Sequence, residues 1–352
     1  MSRVFAAMAS HRDAIVALLP LWCVIVLLPF GRSAELGSLL AIVLVAVGVW
    51  RQPRAWLGTP TARLLLALFA AYFLAALLSA LDAIRPARSW ETCLGLLRFA
   101  CLGLYAAHVL DRASRLRAMA YVIAAVATWW ALDAWLQFLT GWSIGGPAEP
   151  ERITGIFGAG NPKLGIVLAT LAPFVLWAAR EWRGRLALVL AFAFLLLPVL
   201  VAGSRQGWLA YALVTAIFVW RECGTPRRFV AWMGLALLAM GLAGLAAWQV
   251  SPRFDARMQR SLLAFDGSTA ALNTALSGRL DIWRTALGVF ETHPFNGVGV
   301  RDFRYAYPRH ARPGDRFVTV DNCGADAGAC HPHQWLLEVA SETGVIGVLL
   351  WL

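Results

Sequence analysis

Hydrophobic and polar positions fall in blocks along this chain rather than at a short period. Apolar runs lie near residues 14–31, 36–50, 61–81, 92–110, 117–139, 162–179, 186–203, 206–220 and 229–250, and another begins near 335. Runs of this kind predict membrane helices, since about 20 apolar residues cross a hydrocarbon layer of about 30 Å and a helix satisfies its own backbone polar groups there. Several runs are shorter than that, so their helices must extend a few residues into the polar flanks. Between the ninth and tenth runs lies a polar segment, Ser251 to Gln334. Ser251-Pro252, His293-Pro294 and Arg312-Pro313-Gly314 break it into short pieces, with one helix predicted over Asp281–Glu291. The pattern therefore predicts an all-α, polytopic transmembrane bundle of about ten or more spans. Its parts are a transmembrane domain over 1–250, a large helical loop over 251–334 and the start of a further transmembrane helix over 335–352. There is no internal repeat and no low-complexity tract.

Basic residues set the expected orientation. Dense clusters occupy alternate connections: Arg51, Arg54 and Arg63; Arg112, Arg115 and Arg117; Arg180, Arg183 and Arg185; Arg221, Arg227 and Arg228. The other short connections are poorer or balanced by acid, as in Arg32 with Glu35 and in Asp82, Arg85, Arg88 and Glu91. Positive charge is retained on the cytoplasmic side. If the nine spans alternate, the N-terminus is cytoplasmic and the polar segment faces outward, into the periplasm of a Gram-negative cell. Arg3, His11 and Arg12 precede the first apolar run with no small-residue cleavage site after it, which predicts an uncleaved first span.

Composition supports the membrane reading. The chain is 60% hydrophobic and only 14% charged, against roughly 25% charged in soluble domains. The net charge of +11 sits in inter-helix clusters and in the large loop, not in a stripe on a soluble surface, so nucleic acid is not an expected partner. Cys23, Cys93 and Cys101 fall inside apolar runs and read as small core residues, whereas Cys323 and Cys330 flank a flexible spacer that lets them pair in an oxidising compartment.

Candidate chemistry gathers on the predicted outer side. Arg152 and Lys163, the only lysine, bracket a glycine-rich turn. Gly203-Ser204-Arg205-Gln206-Gly207 is a tight connection that leaves Arg205 at the interface, where an arginine is costly unless it is paired or snorkelling. Arg279 follows Ser277-Gly278 near a predicted helix start, where backbone N–H groups favour anions. Each has a plainer reading: a membrane anchor for Arg205, a solvated face for Arg279. His331-Pro332-His333-Gln334 leads into the last run. No further ligand cluster accompanies the two histidines and there is no Asp-x-Asp pair, so neither a metal nor another cofactor is expected. A neutral imidazole suits proton abstraction from a sugar hydroxyl, and His333 is favoured because it lies nearest the helix start. Several arginines with one base suit a lipid-borne pyrophosphate substrate, whose leaving charge bidentate guanidinium groups can meet.

From about Arg152 onward the chain resembles the O-antigen ligase and polymerase superfamily of bacterial membrane glycosyltransferases. The resemblance rests on Arg152-x-x-Gly155 with Asn161-Pro162, Gly203-Ser204-Arg205, Ser277-Gly278-Arg279-x-x-Ile282-Trp283, His293-Pro294-x-x-Gly297-x-Gly299, His331-Pro332-His333 and Glu342-Thr343-Gly344-x-x-Gly347. Their order is more specific than any one of them, and the first 140 residues match only as generic membrane helices. The resemblance implies glycan transfer from undecaprenyl pyrophosphate to a hydroxyl at the outer face of the inner membrane, the acceptor in the ligase branch being the lipid A–core oligosaccharide of lipopolysaccharide. It places essential roles on Arg205, Arg279 and His333, with Arg152, Lys163, His331 and Gln334 as further substrate-binding positions. Gln334 departs from relatives, which commonly carry Asn or Ser there. Rival readings are an O-antigen polymerase, a protein O-oligosaccharyltransferase and, from another class, a lipid-linked glycan transporter. A transporter would place ionisable residues in mid-membrane, and Asp133 and Arg98 are the main candidates.

Overall fold

A computed structural model describes residues 15–150, 152–250 and 252–352. Arg3, His11 and Arg12 lie outside these. Every apolar run predicted as a helix is helical: α1 (Ile15–Val26), α2 (Glu35–Arg51), α4 (Pro60–Ala80), α5 (Pro86–Val109), α6 (Ala113–Thr140), α7 (Leu164–Val201), α8 (Arg205–Cys223), α9 (Pro226–Val250) and α15 (Trp335–Trp351), with a short α3 (Pro53–Leu57) between α2 and α4. Among the described residues the only sheet is a two-stranded antiparallel hairpin, Trp142–Ser143 with Gly146–Pro147. The chain is thus an all-α integral membrane protein. Five of its helices (α4, α5, α6, α7 and α9) are long and apolar enough to cross a membrane.

Two long helices are not single rods. Helix α7 contains the two runs expected at 162–179 and 186–203, and its backbone breaks at Arg183 and Gly184 (φ 72°, ψ −150°). A Cβ on Gly165, near the start of α7, would sit 3.1 Å from Ala202 Cβ at its far end. The arms therefore fold back on each other. Helix α15 breaks at Gly344 (φ 65°, ψ −165°). Trp335 and Trp351, which a straight helix would hold about 24 Å apart, stack with ring centroids 4.1 Å apart. The straight helix expected from 335 is instead a hairpin of two short arms, because glycine alone tolerates that backbone turn.

The chain forms two compact units. One holds α1 and Leu110–Arg260. Its core joins α6, α7 and α8 around Trp130, Leu168, Leu195, Val199 and Tyr211. The other combines Ser38–Val109 with Ser261–Leu352. The polar segment opens with α10 (Pro252–Leu262), and to the second unit it supplies α11 (Thr269–Ala275), α12 (Arg279–Thr292), α13 (Phe303–His310) and α14 (Arg316–Thr319). Ile282, Ala286 and Val289 lie at helical spacing on one face of α12 and pack with Val298, Phe303 and Tyr307 into a core. Cys323 and Cys330 are joined by a disulfide.

Candidate functional site

In the second unit, two pairs of motifs prove to be each other's structural complement. The first pair is His293-Pro294-x-x-Gly297-x-Gly299 with Glu342-Thr343-Gly344. Val298 and Gly299 donate backbone N–H groups to the Ser341 and Glu342 carbonyls, both at 3.1 Å. Val345 and Ile346 donate to the Pro294 and Phe295 carbonyls at 2.8 and 3.1 Å. Side chains at Gly297 and Gly344 would collide with the backbone of the opposite strand. Glu342 is buried. Its carboxylate accepts from the backbone N–H groups of Arg301 and Phe303, and its carbonyl also takes the Ser79 hydroxyl of α4. Arg301 leaves this lock in the left-handed conformation (φ 69°) with its side chain exposed. Next to it, buried Asp302 accepts the Arg85 backbone N–H at 2.6 Å, and burial pushes its carboxyl above the usual range.

The second pair is Ser277-Gly278-Arg279-x-x-Ile282-Trp283 with His331-Pro332-His333. Asn273 receives the chain at the start of α12: its side-chain oxygen accepts Leu280 N–H at 3.1 Å and its amide donates to Asp281. Arg279 opens the helix. Trp283, one turn on and so on the same face, donates its indole N–H to the Pro332 carbonyl at 3.1 Å. The helix that presents Arg279 therefore also holds the histidine turn. His333 sits at φ 55°, and its ring lies 4.3 Å from that of His331. Gln334 caps α15, its side-chain oxygen accepting Leu337 N–H at 2.5 Å. A cap is where Asn and Ser are favoured, which gives the expected Asn or Ser there a structural reason and shows that Gln reaches the same N–H.

These neighbours set the electrostatics. His333 is an exposed residue whose ring is partly desolvated by its neighbours. Burial, then His331, then Arg279 push its pKa down to about 4. His331 is also lowered, by burial and by Arg301 and Arg304, against the opposing pull of Glu338. Arg304 is half-buried, donates to Cys323 Sγ at 3.1 Å, and is itself lowered by burial and by Arg301 and Arg88. Both imidazoles are thus neutral at pH 7 within a cationic field suited to an anion. Arg301, Arg304 and Glu338 were not singled out from sequence, and Glu342 was marked only as the first residue of a motif. Arg301 follows two residues after the Gly297-x-Gly299 motif, and that adjacency was the available signal.

The other expected ligands lie in the first unit. Ile153 N–H donates to the Val201 carbonyl at 3.3 Å, and a Cβ on Gly165 would lie 3.2 Å from Ser204 Cβ. Arg152, Lys163 and Arg205 consequently share one end of the α7 hairpin. Arg152 is paired with Glu149 at 3.0 Å, and Glu149 also accepts Gly160 N–H at 2.6 Å. Ser204 caps α8 by accepting Gly207 N–H at 3.2 Å. Gly207, two residues beyond Arg205, serves helix packing. It is buried, and a Cβ there would press on the Gly165 backbone at 2.9 Å. Two buried polar residues of α6 shape the adjoining loop: Gln137 accepts Thr154 and Gly155 N–H, both at 2.8 Å, and Asp133 accepts Ile144 N–H at 2.9 Å. Asp133 therefore takes part in loop structure through its Oδ1. Among the described residues no group of three or more His, Cys, Asp or Glu side chains is arranged to hold a metal.

No curated protein and no solved structure matches the chain. The sequence profile of the O-antigen ligase family matches residues 187–352, a stretch that takes in most of the second α7 arm, Arg205 and both complementary motif pairs. Over these residues, a little under half of its length, the chain is similar to the O-antigen ligase family, which supports a place in the O-antigen ligase/polymerase superfamily and a general transferase role.

Proposed function

We propose that this protein is an O-antigen ligase of the bacterial inner membrane. It transfers a glycan from undecaprenyl pyrophosphate to a sugar hydroxyl of the lipid A–core oligosaccharide, without a metal. In this reading the N-terminus is cytoplasmic, ten or more spans cross the bilayer, and residues 251–334 form a periplasmic loop. The observation that carries it is the joint presentation of Arg279 and His333, fixed to one another by the Trp283–Pro332 hydrogen bond.

The reaction is a direct displacement. The acceptor oxygen bonds to the anomeric carbon as the bond from that carbon to the pyrophosphate breaks, and the acceptor proton passes to His333. Attack comes from the face opposite the leaving group, so the anomeric configuration inverts. Arg279 meets the charge that develops on the departing pyrophosphate, the kind of contact whose loss costs about 10²–10³ in rate. Arg205, Arg152 and Lys163 are assigned to anion binding from their motifs, Arg152 with Glu149 as a resident counter-ion. His331 and the Gln334 amide are assigned to the glycan. A resting pKa near 4 makes His333 a weak base. Donor binding relieves part of this, because a pyrophosphate on Arg279 offsets one of the positive charges that lower the imidazole, while burial and His331 still act on it.

The test is a reconstitution of the purified protein with undecaprenyl-pyrophosphate-linked O-antigen and O-antigen-free lipopolysaccharide, with EDTA present. A ladder of glycan-bearing lipopolysaccharide is expected. Lengthened lipid-linked chains in its place would make the protein a polymerase. Retained configuration in the new linkage would overturn direct displacement.

A further inference from the structure

The first unit contains an apolar cleft of about 690 Å³ between the second arm of α7, α8 and α9. Its walls are built mainly by Val189, Phe192 and Leu196 of α7, Phe218 of α8, and Trp232 and Leu235 of α9. The volume falls in the range of about 300–1,000 Å³ typical of small-molecule sites. Helix α9 buries only Ala247, so it leans on its neighbours without filling the space between them. In a bilayer hydrocarbon must fill such a gap, because an empty void forfeits dispersion contacts on its lining.

The mouth of the cleft is polar and positive. Arg185, Glu222 and Arg228 line it. Glu222 is shared between Arg180 at 2.7 Å and Arg185 at 3.0 Å. Arg228 makes no side-chain hydrogen bond or ion pair among the described residues. Arg180 and Arg185 thus share the Glu222 carboxylate, and Arg228 lines the same cleft beside them. This mouth lies by the Arg183–Gly184 turn of α7 and the α8–α9 connection, at the opposite end of α8 from Arg205 and so about 26 Å from it along the helix.

We propose that the cleft binds one anionic phospholipid, with an acyl chain among the apolar walls and its phosphate on Arg228. Charge selects an anionic headgroup over a zwitterionic one. Each Glu222 oxygen keeps a lone pair beyond its arginine contact, which can accept a hydrogen bond from a glycerol headgroup. A polyprenyl phosphate carries no such hydroxyl, so phosphatidylglycerol fits better. Bound there, the lipid joins α9 to the α7 hairpin at the opposite end of α8 from Arg205.

The test uses the full chain in nanodiscs of equal phosphatidylglycerol and phosphatidylcholine, with co-purifying lipid counted by native mass spectrometry. Wild type should retain one phosphatidylglycerol per chain. Arg228→Gln should lower the preference for it about fivefold, the contribution of one arginine near an anionic surface. Ala236→Phe, which fills the cleft, should abolish retention. Equal retention of the two lipids, or retention unchanged in both variants, would overturn the proposal. So would displacement of phosphatidylglycerol by equimolar undecaprenyl phosphate. Because the readout is lipid and not glycan, the result stands apart from the ligase reading.

Discussion

Replacing Gly344 by alanine should unlock the segment that carries Arg301. Gly344 sits at φ 65°, ψ −165°, a region essentially confined to glycine, where another residue costs about 1–3 kcal/mol. The new methyl would also fall well inside contact distance of the Phe295 carbonyl and the Asn296 nitrogen. These are backbone atoms, so the two strands must separate. The hydrogen bonds from Val345 and Ile346, at 2.8 and 3.1 Å, would be lost at about 1 kcal/mol each. The sum is about 3–5 kcal/mol of local stability. Hydrogen exchange monitored by mass spectrometry in detergent should show it as a loss of protection over 297–301 and 341–346 by two or more powers of ten. Gly314→Ala is the control. Its φ of 77° is also left-handed, yet a Cβ there meets nothing within 4 Å, so it should cost only about 1–2 kcal/mol and leave those segments protected. Equal effects from the two substitutions, or wild-type protection in Gly344→Ala, would refute the interlocking of the two motifs.

Two further outcomes follow. Because burial and two cationic neighbours disfavour the charged imidazole, His333 should titrate near pH 4, below the usual 6.5. Arg279→Gln should move its NMR titration upward, and a midpoint unaffected by that change would contradict the proximity of the two side chains. The Cys323–Cys330 disulfide closes a short ring across a sequence separation of 7 and should contribute about 2–3 kcal/mol. Reductant should therefore lower the melting temperature of wild type to that of a Cys323→Ser, Cys330→Ser variant, and a wild type indifferent to reductant would argue against it.

Much of this was legible in the chain. The apolar runs became helices because lipid and core impose the same demand on them, and the proline and glycine breaks of the polar segment fall between its helices. The motifs marked the right residues, but their partnerships were hidden. Trp283 and Pro332 are far apart in sequence, as are Gly297 and Glu342, and periodicity carries no information about which distant segments meet. The hairpins in α7 and α15 each turn on one glycine in a backbone conformation that hydropathy does not register. Asp133 read from sequence as an ionisable residue within a span, and Gln137 drew no reading at all, yet both accept N–H groups of a loop farther along the chain. Glu342 was read as part of a motif, while its work is to hold Arg301 and Phe303 by their backbone. The left-handed conformations at Arg301 and His333 arise from these tertiary constraints and from no local preference of arginine or histidine.

The central claim is that Arg279 and His333 act together on a pyrophosphate-linked glycan. The most direct measurement is initial-rate transfer in the reconstituted ligase assay for wild type, His333→Ala and Arg279→Lys, each first shown to be folded by size exclusion and by exchange protection over 297–301. Both variants should lose at least 10² in kcat, lysine failing because it lacks the planar two-pronged donor set of arginine. Folded variants that transfer glycan at the wild-type rate would contradict the account.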